Sequence, residues 1–412
     1  MLNTMIGASI FGLPSLLAAR LGRQSPAAYL IAAAGVAVIA ACLSEVASQF
    51  TEAGGPYLYA REAFGKFVAI QIGWLTWLSR ISATSAVTNL FISYLGEFFP
   101  AVNSAGIRAA VICVLIGVLA AANYRGVSVG STVSNLFTVT KVTLLSFFII
   151  SGFISLWLHP SLRVAPSAIT THPADWFESV ILMVYAYGGF EAALVATGEV
   201  QNPRRDIPFA LFSAIAVVTG LYIAVQYVVI HSLPDAAASV KPAVDAARRF
   251  LGPSGASIVA AGTLISAYGY LSANMLHAPR VTFAMGQGGD FPAIFAKVHR
   301  RFHTPYLSIV TFAALVLLFS IAGSFKWNAI LSAVSRLFVY FSSAAALPVL
   351  RRKHPEADAF RLPAGMIFTV IALLFTGVLV TRMHSREILV VGITCGLALL
   401  NWLWTRRQNS TA

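Results

Sequence analysis

Apolar runs of about 20 residues recur along this whole sequence, each long enough to carry a helix through a bilayer. In hydrocarbon every backbone N–H and C=O must be satisfied within the chain, so such runs fold as helices or as closed barrels. Barrel strands would show as segments of about ten residues with alternating polarity, and these runs do not alternate. An all-α polytopic membrane protein is therefore expected. About twelve transmembrane helices are expected, near residues 3–20, 26–50, 66–98, 106–123, 131–158, 174–199, 207–233, 255–285, 305–323, 327–350, 363–381 and 387–405.

Composition agrees with that class. The chain is 58% apolar and 10% charged, against roughly 25% charged in soluble domains. No stretch between the runs is long enough for a soluble domain, and the longest connection, 234–254, is expected to hold a short amphipathic helix. The net charge of +13 does not point to nucleic acid, because the basic residues sit in short loops, as membrane topology demands. With both termini in the cytoplasm, about fifteen of the 28 lysines and arginines fall in inner loops and about ten in outer ones. Cys42, Cys113 and Cys395 all lie in apolar runs, which makes neither a disulfide framework nor a metal site. The first run lacks the basic flank and cleavage site of a signal peptide.

Two runs are weakened in their middle. The first reads TMIGASIFGLP, with Gly7-Ala8-Ser9 inside it and Pro14 after it; the other is the stretch Tyr185–Glu191, with Gly188 and Gly189. Glycine and serine lower helix propensity. Open backbone at that depth persists only where it is buried or lines a cavity. Glycines that merely let helices pack closely would look the same at either place. The breaks fall, however, in the first and sixth runs, five apart. That spacing fits an inverted repeat of five helices, whose broken members meet at the midplane around a substrate. The start of a half-helix offers N–H groups to an anion, and the facing carbonyls accept from a cation. Together they suit an ammonium carboxylate, that is, an amino acid.

Six stretches in order carry a family resemblance: MIGASIFGLP; EAGGPYLYAREAFG with GWLTWLSR; NYRGVSVGSTVSNLFTVTKV; YAYGGFEAALVATGEVQNPRRDIP; NMLHAPRVTFAMGQGGDFPAIFAKVHRRFHTP; and LRRKHPEADAFRLP. The chain resembles the amino acid–polyamine–organocation superfamily of permeases over nearly its whole length. The resemblance implies a LeuT-type core of two inverted repeats of five helices, 1–158 and 174–350, with two peripheral helices in 363–405. It implies secondary active transport of amino acids or related amines across the cytoplasmic membrane by alternating access, with no cofactor. The substrate carboxylate would meet backbone N–H groups around Ile6, Gly7, Ala8 and Ser9. The amino group would meet carbonyls near Tyr185, Ala186 and Gly188. Tyr185 matches an aromatic gate, or else is an ordinary packing aromatic. Thr84 and Asn274 match pocket positions, although polar packing residues look alike in sequence. Ser9 replaces a customary glycine, which narrows backbone freedom and crowds a large substrate. The first run also begins only about five residues before Gly7, too few for an inner half-crossing. The native protein is therefore expected to begin upstream; the rival is a true truncation with an incomplete gate.

Lys141 lies within the fifth run, where a charge costs at least about 2.5–3.5 kcal/mol. In sodium-independent relatives a lysine here stands where sodium-coupled ones bind a cation, and an ammonium there can bridge carbonyls or release a proton. A proton is accordingly the expected coupling ion. The alternative is snorkelling to the interface. Glu191 matches an acidic position that the family uses for proton coupling or for holding the sixth helix; the alternative is a fixed pair with an arginine. Arg80 and Arg336 also fall inside runs and read as structural anchors, because arginine keeps its proton. Asn202–Asp206 is expected to be a turn, since Asn before Pro disfavours helix. Gly286–Asp290 lacks the lysine and the strand-to-helix context of a phosphate loop.

A membrane enzyme would need a nucleophile or metal cluster facing water, and no HExxH, CxxC or GxSxG pattern occurs. An exchanger, a non-transporting receptor on the same fold and a channel stay open, with the broken pair favouring an occluding site over a channel. Substrate side chain, and monomer against homodimer, also stay open.

Overall fold

The computed structural model describes residues 5–50, 55–126, 131–191, 203–355 and 360–410. Every regular element among them is helical. Parts of the quoted motifs at 1–4, 51–54, 127–130, 192–202 and 356–359 lie outside the described residues. Seven described helical stretches are long and apolar enough to cross a bilayer, and Tyr306–Ala322 and Gly365–Val380 are shorter apolar helices.

Both predicted breaks are present. At the first, Gly7 is extended, Ala8–Phe11 forms a 3-10 turn and helix α1 runs over Leu13–Leu21 with Pro14 in its first turn. Proline suits that place because a first-turn N–H has no helical partner. Helix α2, Ser25–Ser48, then returns. A short helix α3, Gly55–Phe64, leads into α4, Lys66–Leu95. Helices α5, Ala105–Tyr124, and α6, Ser131–Leu158, follow. Helix α7, Pro173–Tyr187, stops at the second break: Gly188 is extended and Gly189 has φ 111°, a conformation that favours glycine.

Helix α8 spans Pro203–Ser232 and corrects the expected turn at 202–206. Pro203 opens the helix, as its fixed φ allows; Asn202 itself lies outside the described residues. Helix α9, Pro242–His277, is kinked at Gly252 (φ 73°), so its first ten residues form the short helix expected in 234–254. The expected span 255–285 is not one helix. It ends at His277, and Pro279–Gln287 forms a separate α10, since Pro279 has no N–H with which to continue the ladder. Helices α11 (Tyr306–Ala322), α12 (Phe325–Lys353), α13 (Gly365–Val380) and α14 (Ser385–Ser410) complete the chain.

Helices α4 and α12 form the centre. In α12 83% of the apolar window is buried, against 17% in α5, which places α5 on the perimeter. Small hydroxyl residues let the central pair approach: Ser79 and Ser332 donate to each other's carbonyls at 3.1 and 2.9 Å. Ser85 donates likewise to Val316 of α11 at 3.1 Å.

Buried or half-buried ion pairs close both ends of the bundle. On the face that carries α3, Glu45 accepts from Arg351 Nε and Nη2 at 2.6 and 2.7 Å and from the Leu362 N–H at 2.7 Å. Nearby, Asp290 pairs with Lys66 at 3.0 Å and accepts from the Tyr57 hydroxyl. On the opposite face, Glu178 joins Arg20 of α1 to Lys326 of α12, and Glu97 joins Lys241 and Arg248.

Candidate functional site

The two breaks face one cavity of about 110 Å³. The first break contributes Met5, Gly7 and Ser9, and the second contributes Tyr185, Ala186, Gly188 and Gly189. Helix α4 adds Arg80 and Val87; α6 adds Lys141; α12 adds Arg336. Helix α9 adds Gly269, Tyr270, Ala273, Asn274 and His277.

Side chains of α8 hold the breaks together. The Tyr222 hydroxyl lies 3.0 Å from the Met5 carbonyl and 3.5 Å from the Ala186 carbonyl, so one donor serves both breaks. Gln226 donates to the Pro14 carbonyl at 3.2 Å and to Ser25 at 2.8 Å, and accepts from Tyr29 at 3.2 Å. Tyr187 is within 2.9 Å of the Thr219 hydroxyl and 3.1 Å of the Tyr29 carbonyl. Open backbone is tolerated at this depth because such donors satisfy it.

Of the residues singled out in the sequence, Gly7, Ser9, Tyr185, Ala186, Gly188, Asn274 and Lys141 meet around the cavity. Ile6 lies in the core and outside the lining. The backbone of Ala8 opens the 3-10 turn. The Gly7 N–H is turned back on the Met5 carbonyl at 2.8 Å, so in this conformation it is not offered to the cavity. Thr84 is buried outside the lining, with its hydroxyl donating to the Arg80 carbonyl at 2.8 Å. Tyr185 packs edge-on against Phe325, with ring centres 6.3 Å apart. Lys141 is 2% exposed and turned to the cavity, not out to the interface.

Glu191 stands behind the cavity wall. Its Oε2 accepts from the Gly189 N–H at 2.9 Å and the Tyr340 hydroxyl at 3.2 Å. Its Oε1 lies 3.6 Å from Arg336 Nη2 and 3.9 Å from Arg80 Nη2. The carboxylate thus sits in a pair with two arginines, the alternative weighed for it in the sequence. The arginines were legible as charges inside runs, but their place on the cavity wall was not. Gly188 is what admits Arg336: a Cβ there would overlap the guanidinium. No group of three or more His, Cys, Asp or Glu able to hold a metal occurs among the described residues.

Comparison with known proteins bears on this arrangement. The model of the amino acid permease family matches residues 1–392. The chain is 30% identical to the methylthioribose transporter of Bacillus subtilis, over 99% of this chain and 92% of that protein. It is 23% identical to the serine/threonine exchanger SteT of the same organism, over 97% and 91%. It is 27% identical to the mouse large neutral amino acids transporter small subunit 2, over 97% and 76%. These relatives are transporters of small molecules. A family match across nearly the whole chain, joined to a polytopic helical bundle broken twice around one cavity, makes this integral membrane protein a member of the amino acid permease family.

Proposed function

We propose that the protein is a secondary transporter that carries amino acids or related amines across the cytoplasmic membrane by alternating access. One observation carries this reading: backbone from both broken helices lines a single buried cavity. N–H groups at the first break suit a carboxylate, and carbonyls at the second suit an ammonium. The two repeats 1–158 and 174–350 would supply one broken helix each. The unit of α1, α2, α7 and α8, tied by Tyr222 and Gln226, would rock against α4, α5, α9 and α11. Both termini would face the cytoplasm, the side with more basic residues. Lys141 would couple this motion to a proton. An ammonium beside the first break can hold its carbonyls when charged and release them when neutral.

The test is uptake into proteoliposomes with labelled amino acids and amines, with and without an inward proton gradient. Gradient-driven uptake that is lost in Lys141→Ala is the expected result. Uptake only against internal substrate would make the protein an exchanger without proton coupling. A folded protein that moves nothing in the panel would sink the transport reading.

A further inference from the structure

The cavity wall carries more positive charge than a zwitterion answers. Arg80, Lys141, His277 and Arg336 all line it, and no carboxylate is among its described lining residues. Behind the wall, Glu191 supplies one negative charge. Arginine does not shed its proton, so among the described residues even a neutral Lys141 leaves one positive charge in excess. Arg336 is 5% exposed, and its Nε and Nη1 have no hydrogen-bond partner among the described residues. Buried donors without acceptors are unfavourable, and these belong to a planar fork shaped for a carboxylate. Such donors on a cavity wall are ones a ligand oxygen can complete.

An ordinary amino acid brings one carboxylate and one ammonium, and the two breaks answer both. It leaves the excess charge and the Arg336 donors as they were. We propose that the transported molecule is an acidic amino acid, whose side-chain carboxylate is held by Arg336 with Arg80 beside it. This deepens the transport reading and rests on it.

The test compares L-glutamate and L-aspartate with L-glutamine and L-asparagine, which match them in shape and differ by one charge. Uptake into proteoliposomes and competition for binding to the purified protein are both read. The acids are expected to be preferred by roughly tenfold or more, as for a site whose buried donors are left unmet by the wrong ligand. Arg336→Gln should bring that ratio close to one, and Arg80→Gln should reduce it. Should Arg336→Gln fail to fold, Arg336→Lys keeps the charge, loses the fork and should still lower the ratio. The preference of the unaltered protein decides the matter without any variant. Neutral amides taken up as well as, or better than, the acids would overturn the proposal and leave the transport reading intact. If neither acids nor neutral amino acids move, both fall together.

Discussion

Replacing Glu191 by glutamine removes one charge and almost no volume. An amide oxygen can still accept from the Gly189 N–H, 2.9 Å away in the parent, so the backbone at the break keeps its partner. What disappears is the counter-charge to Arg336, 5% exposed and 3.6 Å from Glu191 Oε1. Removing one partner of a buried pair costs about 3–5 kcal/mol, because the other charge stays buried without compensation. The pair here is looser than a bidentate one and Arg80 is partly exposed, which argues for the lower end, about 3 kcal/mol. In domains of 150–250 residues each kcal/mol moves the melting point by about 2–4 °C, and less in longer chains. A drop of about 3–6 °C is therefore expected for Glu191→Gln. The double variant Glu191→Gln/Arg336→Gln leaves without its counter-charge only the partly exposed Arg80 and should recover most of that loss. Thermal unfolding of the detergent-purified protein at neutral pH measures both. A single variant as stable as the parent, or a double variant less stable than the single, would mean that Glu191 does not hold the Arg336 charge.

Gly188→Ala should lower the melting point and uptake together, by an overpacking cost of about 1–3 kcal/mol. At φ −62° the backbone accepts alanine, so the loss comes from the guanidinium; combining it with Arg336→Ala should therefore be less than additive in a melting assay. Tyr222→Phe deletes a hydroxyl shared by Met5 and Ala186. It should cost about 1 kcal/mol in stability and weaken substrate binding, read by melting and by the KM of uptake. Burial pushes the Glu97 carboxyl up, but Lys241 and Arg248 outweigh it and hold it below its ordinary value. A depressed value in the folded state gives stability that is complete above the unfolded value and is lost as pH falls through the folded one. Melting points should therefore fall from about pH 4.5 downward, and fall less steeply in Glu97→Gln.

The bundle was legible in the sequence because apolar length is a local property, and so were the breaks, because Gly7-Ala8-Ser9 with Pro14 and Gly188-Gly189 weaken helix wherever they stand. Lys141 showed itself as a charge in an apolar run. Partnership was harder to read. Glu191 meets Arg80 and Arg336 across long stretches of chain, and no local pattern says which of several buried charges will pair. Thr84 lies one helical turn beyond Arg80, and residue type alone does not reveal that its hydroxyl is committed to the Arg80 carbonyl. The restart at Pro279 was hidden for another reason: the expected run 255–285 continues through it, whereas the boundary at Gly252 matches the short helix expected in 234–254.

The Tyr222 hydroxyl and the Gln226 amide also bear on how the chain is made. The carbonyls of Met5 and Pro14 find these partners 217 and 212 residues later in the sequence. At 5–20 residues per second, a ribosome takes roughly 10–40 s to bridge that interval. For that time the Met5 carbonyl has only its local partner, the Gly7 N–H, and nothing yet joins the first break to the second. The cavity between the breaks is therefore tied together only when α8 arrives.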